Sequence, residues 1–124
     1  MKKRAAEILR PLVGNNINPG EITGRLSISN QQVVEIARAL STKCKVLILD
    51  EPTAALSESE ADALYCIMGK LKSEGIGIIY ISHRMSEIFE HCDRATVLRD
   101  GHYINTSDVR DLTPKSLVSM MVGR

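Results

Sequence analysis

Apolar residues recur at helical spacing along several stretches of the chain and form short unbroken runs in two others, a mixture that predicts alternating helices and strands. Ala5, Ile8, Leu9 and Leu12 mark a helix over Lys2 to Val13, with Pro11 near its end. Turn formers crowd Gly14 to Gly20. Beyond Leu26-Ser27, the residues Val33, Ile36, Ala37 and Leu40 repeat with helical period, so a second helix runs to about Ser41. Val46 to Leu49 is a continuous apolar run between Lys45 and Asp50, the mark of a strand covered on both faces. Ser57 and Glu60 form a capping box before a helix with Ala61, Leu64, Ile67, Met68 and Leu71 on one face, and Gly75 is placed to stop it. Ile76 to Ile81 reads as a second buried strand. Val46 to Ile81 is therefore a strand, helix, strand unit of the size a parallel crossover needs.

The remainder is shorter-ranged. Helix returns at about Arg84, with Met85, Ile88 and Phe89 on one face. Ala95 to Arg99 and His102 to Asn105 flank Asp100-Gly101, a pair suited to the positive φ angles of a two-residue hairpin. Thr113 and Pro114 suit the cap and first position of a last helix through Leu117, Val118 and Met121, closed by Gly123.

A length of 124 residues predicts one domain or part of one, and 44% hydrophobic with 25% charged residues suits a packed core. Sixteen basic against fifteen acidic side chains leave a net +1, so no basic field for nucleic acid is expected. Aromatic residues are 3% and Trp is absent, which argues against a stacking platform for bases. Cys44, Cys66 and Cys92 are odd in number and lack close pairing, so buried thiols in a reducing compartment are expected. Met1-Lys2-Lys3-Arg4 opens like a signal peptide, but Glu7, Arg10 and Pro11 interrupt the apolar stretch one requires. No apolar run approaches the ~20 residues that cross a bilayer.

Candidate chemistry lies at the carboxyl ends of the two apolar strands, where open parallel sheets place their ligands. The first ends in Asp50-Glu51 and the second in Ser82-His83. Adjacent strand residues point to opposite sides, so one carboxylate can hold a metal through water while the other faces a nucleophilic water. That grouping suits magnesium-assisted phosphoryl transfer, with His83 a candidate to sense the terminal phosphate. Singly, each residue has a plainer reading: Asp50 capping the turn before Pro52, Glu51 a solvated charge, His83 structural. Their joint occurrence at both strand ends favours the chemical one.

Three segments in order, Leu26-Ser27-Ile28-Ser29-Asn30-Gln31-Gln32 through Leu40, Val46 to Thr53, and Ile81-Ser82-His83, resemble the signature motif and its helix, the Walker B strand and the switch histidine of the ATP-binding cassette family. The resemblance runs from about Arg25 to the C-terminus. Thr53 to Leu56, Asp93 to Gly101 and Met121 to Arg124 look most like the first cassette of tandem sugar importers of the ribose, galactose and xylose type. It implies an α/β fold, part of the P-loop NTPase core: a mainly parallel sheet flanked by helices with a C-terminal hairpin. Residues 1–41 would end the helical subdomain and 42–124 would be the C-terminal part of the core. Asp50 would hold Mg2+ through water, Glu51 would be the catalytic base, and His83 would contact the ATP γ-phosphate. Ala54 to Ser57 would form the loop exchanged across a cassette dimer. Ser27, Ser29 and the backbone at Asn30 would open a helix aimed at ATP held by the opposite cassette.

Two departures stand out. Ile28, Ser29 and Asn30 replace the family's Gly-Gly-Gln, and Ser57 replaces the acidic residue that commonly ends the dimer loop. No Gly-x-x-x-x-Gly-Lys-Ser/Thr occurs, so the chain is expected to be the C-terminal portion of a cassette, inactive alone and prone to self-association through uncovered sheet. The expected partners of the complete protein are a second cassette, membrane permease subunits and, indirectly, a periplasmic sugar-binding protein. It would sit peripherally on the cytoplasmic face of the membrane. Competing readings are a cassette ATPase serving DNA or ribosomes, and a non-enzymatic interaction module.

Overall fold

A computed structural model describes residues 2–13 and 16–124. The elements run α1 (Lys2–Val13), α2 (Ile28–Ser41), β1 (Val46–Asp50), α3 (Glu58–Ser73), β2 (Gly77–Ile81), α4 (Met85–His91), β3 (Arg94–Arg99), β4 (His102–Asp108) and α5 (Pro114–Val122), with single 3-10 turns at Thr23–Arg25 and Val109–Asp111. Gly14 and Asn15, at the start of the expected turn-rich loop, lie outside the described residues. Two compact units divide the chain, one ending at Ile81 and the other spanning Ser82–Arg124.

In the first unit β1 and β2 pair in parallel, Val46 beside Gly77 and Asp50 beside Ile81, with α3 as the crossover. The capping box forms as its residue types require: Ser57 Oγ accepts from the Glu60 amide while the Glu60 carboxylate accepts from the Ser57 amide. Gly75 closes the helix at φ +83, a conformation glycine adopts without a Cβ penalty. Because Ile76 still belongs to this helix end, its amide donating to Leu71 O at 3.1 Å, β2 begins one residue later than the apolar run.

Leu9, Val33, Ile36, Ala37, Leu64, Ile67, Met68 and Leu71 from the three helices pack with Leu47 and Leu49 into one core. The described residues cover only one sheet face, contrary to the expectation from the continuous apolar runs. Val46, Ile48, Ile79 and Ile81 are exposed, 62% in the case of Ile48, and the strict alternation along β1 makes the exposure face-specific. The runs have the composition of a sheet buried on both sides, yet the second layer is not among the described elements. The thiols also differ from expectation: Cys66 is exposed on the outer side of α3, and Cys44 and Cys92 are half-buried.

The second unit is built on the β3–β4 hairpin. Asp100 (φ +51) and Gly101 (φ +76) form the expected tight turn, and Arg99 pairs with His102. The strands extend past the apolar segment, Arg94 pairing with Asp108, and an irregularity between Val97 and Leu98 leaves Ile104 as an extra residue on β4. Thr113 caps α5 in a reciprocal box with Ser116, and Gly123 closes it at φ +83. A Cβ on Gly123 would lie 2.7 Å from Arg99 Nη1, which donates to Met120 O at 3.0 Å. Gly123→Ala is therefore expected to destabilise this unit by roughly 1 kcal/mol or more, read as a lowered urea midpoint at unchanged slope.

Among the described residues, no helix is long and apolar enough to cross a membrane.

Candidate nucleotide site

β1 carries Asp50 to its carboxyl end, where the side chain is exposed on the same face as Val46 and Ile48. Glu51 follows in left-handed backbone, φ +46, a conformation that costs a residue with a Cβ and persists only where its surroundings hold it. The hold is visible. The Glu51 amide donates to Ile81 O at 2.9 Å, clamping it against the end of β2, and its carbonyl accepts from the Ala54 amide at 3.2 Å. Pro52 and Thr53 are buried beneath this turn, Thr53 to 1% exposure. The pleat therefore stops at Asp50, and the separation of the two carboxylates comes from the turn at Glu51 rather than from strand alternation.

Ser27, Ser29 and Asn30 come together on the first turn of α2. Ser27 is the N-cap, its Oγ accepting from the Asn30 amide at 3.3 Å, and Gln31 Nε2 donates to Leu26 O at 3.0 Å. Two side chains tie this helix to the segment after β1: Gln32 Nε2 donates to Pro52 O at 2.6 Å, and Ser29 Oγ donates to Glu60 Oε1 at 2.7 Å. The Gln32 orientation follows from the bond, since a carbonyl can only accept. Its buried Oε1 has no hydrogen-bond partner among the described residues. Backbone, Ser29 and Ser57 hydrogen bonds hold the Glu60 carboxyl below the usual carboxylate range, the Ser57 amide contributing most. Neither tie was anticipated from the sequence, because nothing local in a stretch of residues marks a partner 20 or 31 positions away.

His83 belongs to the second unit, two residues past the end of β2, and is exposed. Its neighbours are braced: Ser82 Oγ accepts from the Arg84 amide at 3.0 Å and donates to Glu87 Oε2 at 2.6 Å, while Arg84 Nη1 lies 3.5 Å from Glu87 Oε1. Glu87 is buried, 4% exposed, and both of its carboxylate oxygens have a polar partner here. The structure thus brings Asp50 and Glu51 to one strand end and Ser27, Ser29 and Asn30 to one helix start, and it links these two groups within the first unit.

An exposed carboxylate at a strand end fits Mg2+, which commonly takes one or two carboxylates together with waters and substrate phosphates. Among the described residues no group of three or more His, Cys, Asp or Glu forms a cage that would hold a metal without such phosphates.

Comparison with known proteins agrees with the resemblance carried by the motifs. The model of the ABC transporter family matches residues 1–54. A ribose import ATP-binding protein of Agrobacterium fabrum is 57% identical over 124 residues, all of this chain and 24% of the relative. The chain is similar to ATP-binding proteins of ABC transporters. A ribose import ATP-binding protein of Geobacillus kaustophilus is 52% identical over the whole chain and 25% of its own length, and a galactose/methyl galactoside import ATP-binding protein of Haemophilus influenzae is 51% identical over 88% of the chain and 22% of its own. The chain spans about a quarter of the length of the curated relatives it matches. A solved ATP-binding cassette of an ABC transporter in its ADP conformation superposes with a TM-score of 0.79 at 27% identity, over 98% of this chain and 50% of that one. The α/β class expected from the motifs is the observed one.

Proposed function

We propose that this chain forms part of the ATP-hydrolysing subunit of a bacterial sugar importer of the ribose or galactose class. The observation that carries this reading is the Asp50-Glu51 turn, an acidic pair with Glu51 in left-handed backbone, held at the end of a parallel strand in a chain whose relatives are sugar-import ATP-binding proteins. Asp50 would hold Mg2+, and the ion would offset charge on the ATP phosphates. Glu51 accepts the proton of the attacking water, and His83 hydrogen-bonds the γ-phosphate. Ser27, Ser29 and Asn30 stand at the helix start that faces the phosphates of ATP held on a second cassette, where the positive end of the helix dipole favours anions. Ala54 to Ser57 lie in the loop between the two cassettes. Permease subunits in the membrane are the coupled partners, which places the protein peripherally on the inner face, and a periplasmic binding protein delivers the sugar.

The relatives' import roles favour this reading over a cassette serving DNA or ribosomes, and the near-neutral charge agrees, since a polyanion partner calls for a basic surface. Vesicles carrying the complete protein with its permease, supplied with the sugar-binding protein on the opposite side, are expected to accumulate ribose or galactose only when ATP is on the cassette side. ATP-independent uptake, or none with any pentose or hexose, refutes the reading.

A further inference from the structure

We propose that Glu60 is a positioning residue that holds the start of α2 and the Ala54–Ser57 loop in one arrangement. The functional part of this inference rests on the reading above, in which both segments address a nucleotide shared with a second cassette. Glu60 is the third residue of α3 and divides its two oxygens between two elements. Oε2 accepts from the Ser57 amide and from Ser57 Oγ, each at 2.9 Å, at the end of the loop. Oε1 accepts from Ser29 Oγ at 2.7 Å, at the start of α2 and 31 residues earlier.

The direction of the network follows from counting protons. An ionised carboxylate only accepts, so the single hydroxyl proton of Ser29 is committed to Glu60. Ser27 Oγ, 3.0 Å from Ser29 Oγ, must then donate to it, and Ser27 keeps a lone pair for the Asn30 amide. Ser57 likewise spends its proton on Glu60, which makes Ser59 Oγ, 3.3 Å away, the donor to Ser57 Oγ. One carboxylate thereby orders the hydroxyls at both helix starts. Charge-assisted bonds of this kind are about twice as strong as neutral ones, and these same bonds lower the proton affinity of Glu60. A capping box needs only Ser57 and Glu60; the Ser29 bond is additional to it. The Gln32 bond to Pro52 O gives α2 a second strut to the same segment, so the start of α2 is braced at both ends of the 52–60 stretch. Where the usual signature glycines leave room for bare backbone, Ile28 and Ser29 stand here, and Ser29 is used for this link.

Amide hydrogen exchange of this chain, followed residue by residue by NMR, tests the link without nucleotide. Glu60→Ala is expected to speed exchange about fivefold or more at Asn30 and Gln31 as well as at Ser57 and the first turn of α3, and Ser29→Ala to speed it near Ser57 in return, because coupling is reciprocal. Glu60→Asp keeps the charge at the helix start but is one methylene shorter; it should retain protection in α3 and lose it at Asn30. Loosening confined to α3 in all variants overturns the proposal. In the complete protein Glu60→Asp should lower the kcat of ATP hydrolysis severalfold with the KM for ATP within about twofold. Wild-type kcat in Glu60→Asp, alongside loss of hydrolysis in Glu51→Gln, overturns the positioning role and leaves the ATPase reading intact. Wild-type hydrolysis in Glu51→Gln overturns the ATPase reading instead.

Discussion

Glu51→Gln in the complete protein is expected to cut steady-state ATP hydrolysis by about 10²–10⁴-fold, the usual contribution of a positioned general base, while ATP binding stays within a few-fold of wild type. The substitution is nearly isosteric and touches no backbone feature of the turn. The Glu51 amide still donates to Ile81 O, and the left-handed φ of +46 is as accessible to Gln as to Glu. What changes is proton affinity, since an amide oxygen cannot take the proton that leaves the attacking water. Phosphate release under saturating ATP and Mg2+, set beside equilibrium nucleotide binding, separates the two quantities. Loss of binding together with hydrolysis would mean that Glu51 supports the nucleotide site structurally. Hydrolysis at the wild-type rate would remove Glu51 from the chemistry altogether. The complete protein is needed because no Gly-x-x-x-x-Gly-Lys-Ser/Thr cradle occurs in these 124 residues.

Features written in neighbouring residues are legible in the sequence. Ser57 with Glu60, Asp100 with Gly101, Thr113 with Pro114, and Gly75 and Gly123 each decide a helix end or a turn through groups a few positions apart, and each does so in the structure. The acidic pair at the end of β1 was found for the same reason, because a run of apolar residues ending in two carboxylates is a local signal. Features that depend on distant partners were not. Thr106, Ser107 and Asp108 have the composition of a loop, yet they continue β4 because Arg94, Ala95 and Thr96 pair with them, and the Thr96 and Thr106 hydroxyls meet at 2.9 Å. Glu51 leaves the pleat because Ile81 captures its amide, an event of the β1–β2 pairing rather than of the Asp50-Glu51 dipeptide. The Ser29–Glu60 and Gln32–Pro52 bonds belong to the same class. The exposed sheet face shows a different limit: hydrophobic patterning records the surroundings a strand is suited to, and β1 and β2 are suited to cover on a side that the described elements leave open.

Leu47→Ala and Ile48→Ala, adjacent on β1, should therefore differ sharply. Leu47 is 6% exposed and lies in the core with Leu49, Ile36 and Leu64; truncating it removes buried methyl groups and leaves a cavity, a cost of about 2–5 kcal/mol. Against the roughly 5–15 kcal/mol that small domains possess in total, that loss is enough to bring the first unit near unfolding at 37 °C. Ile48 is 62% exposed, so its truncation deletes little buried area and should cost under about 1 kcal/mol, most of it from the lower strand preference of Ala. Urea unfolding of both variants at low micromolar concentration measures the contrast. An Ile48→Ala cost as large as that of Leu47→Ala would mean that the open face is covered in solution. A midpoint that then rises with protein concentration would identify the cover as another copy of this chain, because association that stabilises only the folded state obeys mass action. A concentration-independent midpoint with a small Ile48 cost would mean that Val46, Ile48, Ile79 and Ile81 meet water, against the self-association expected of an uncovered sheet.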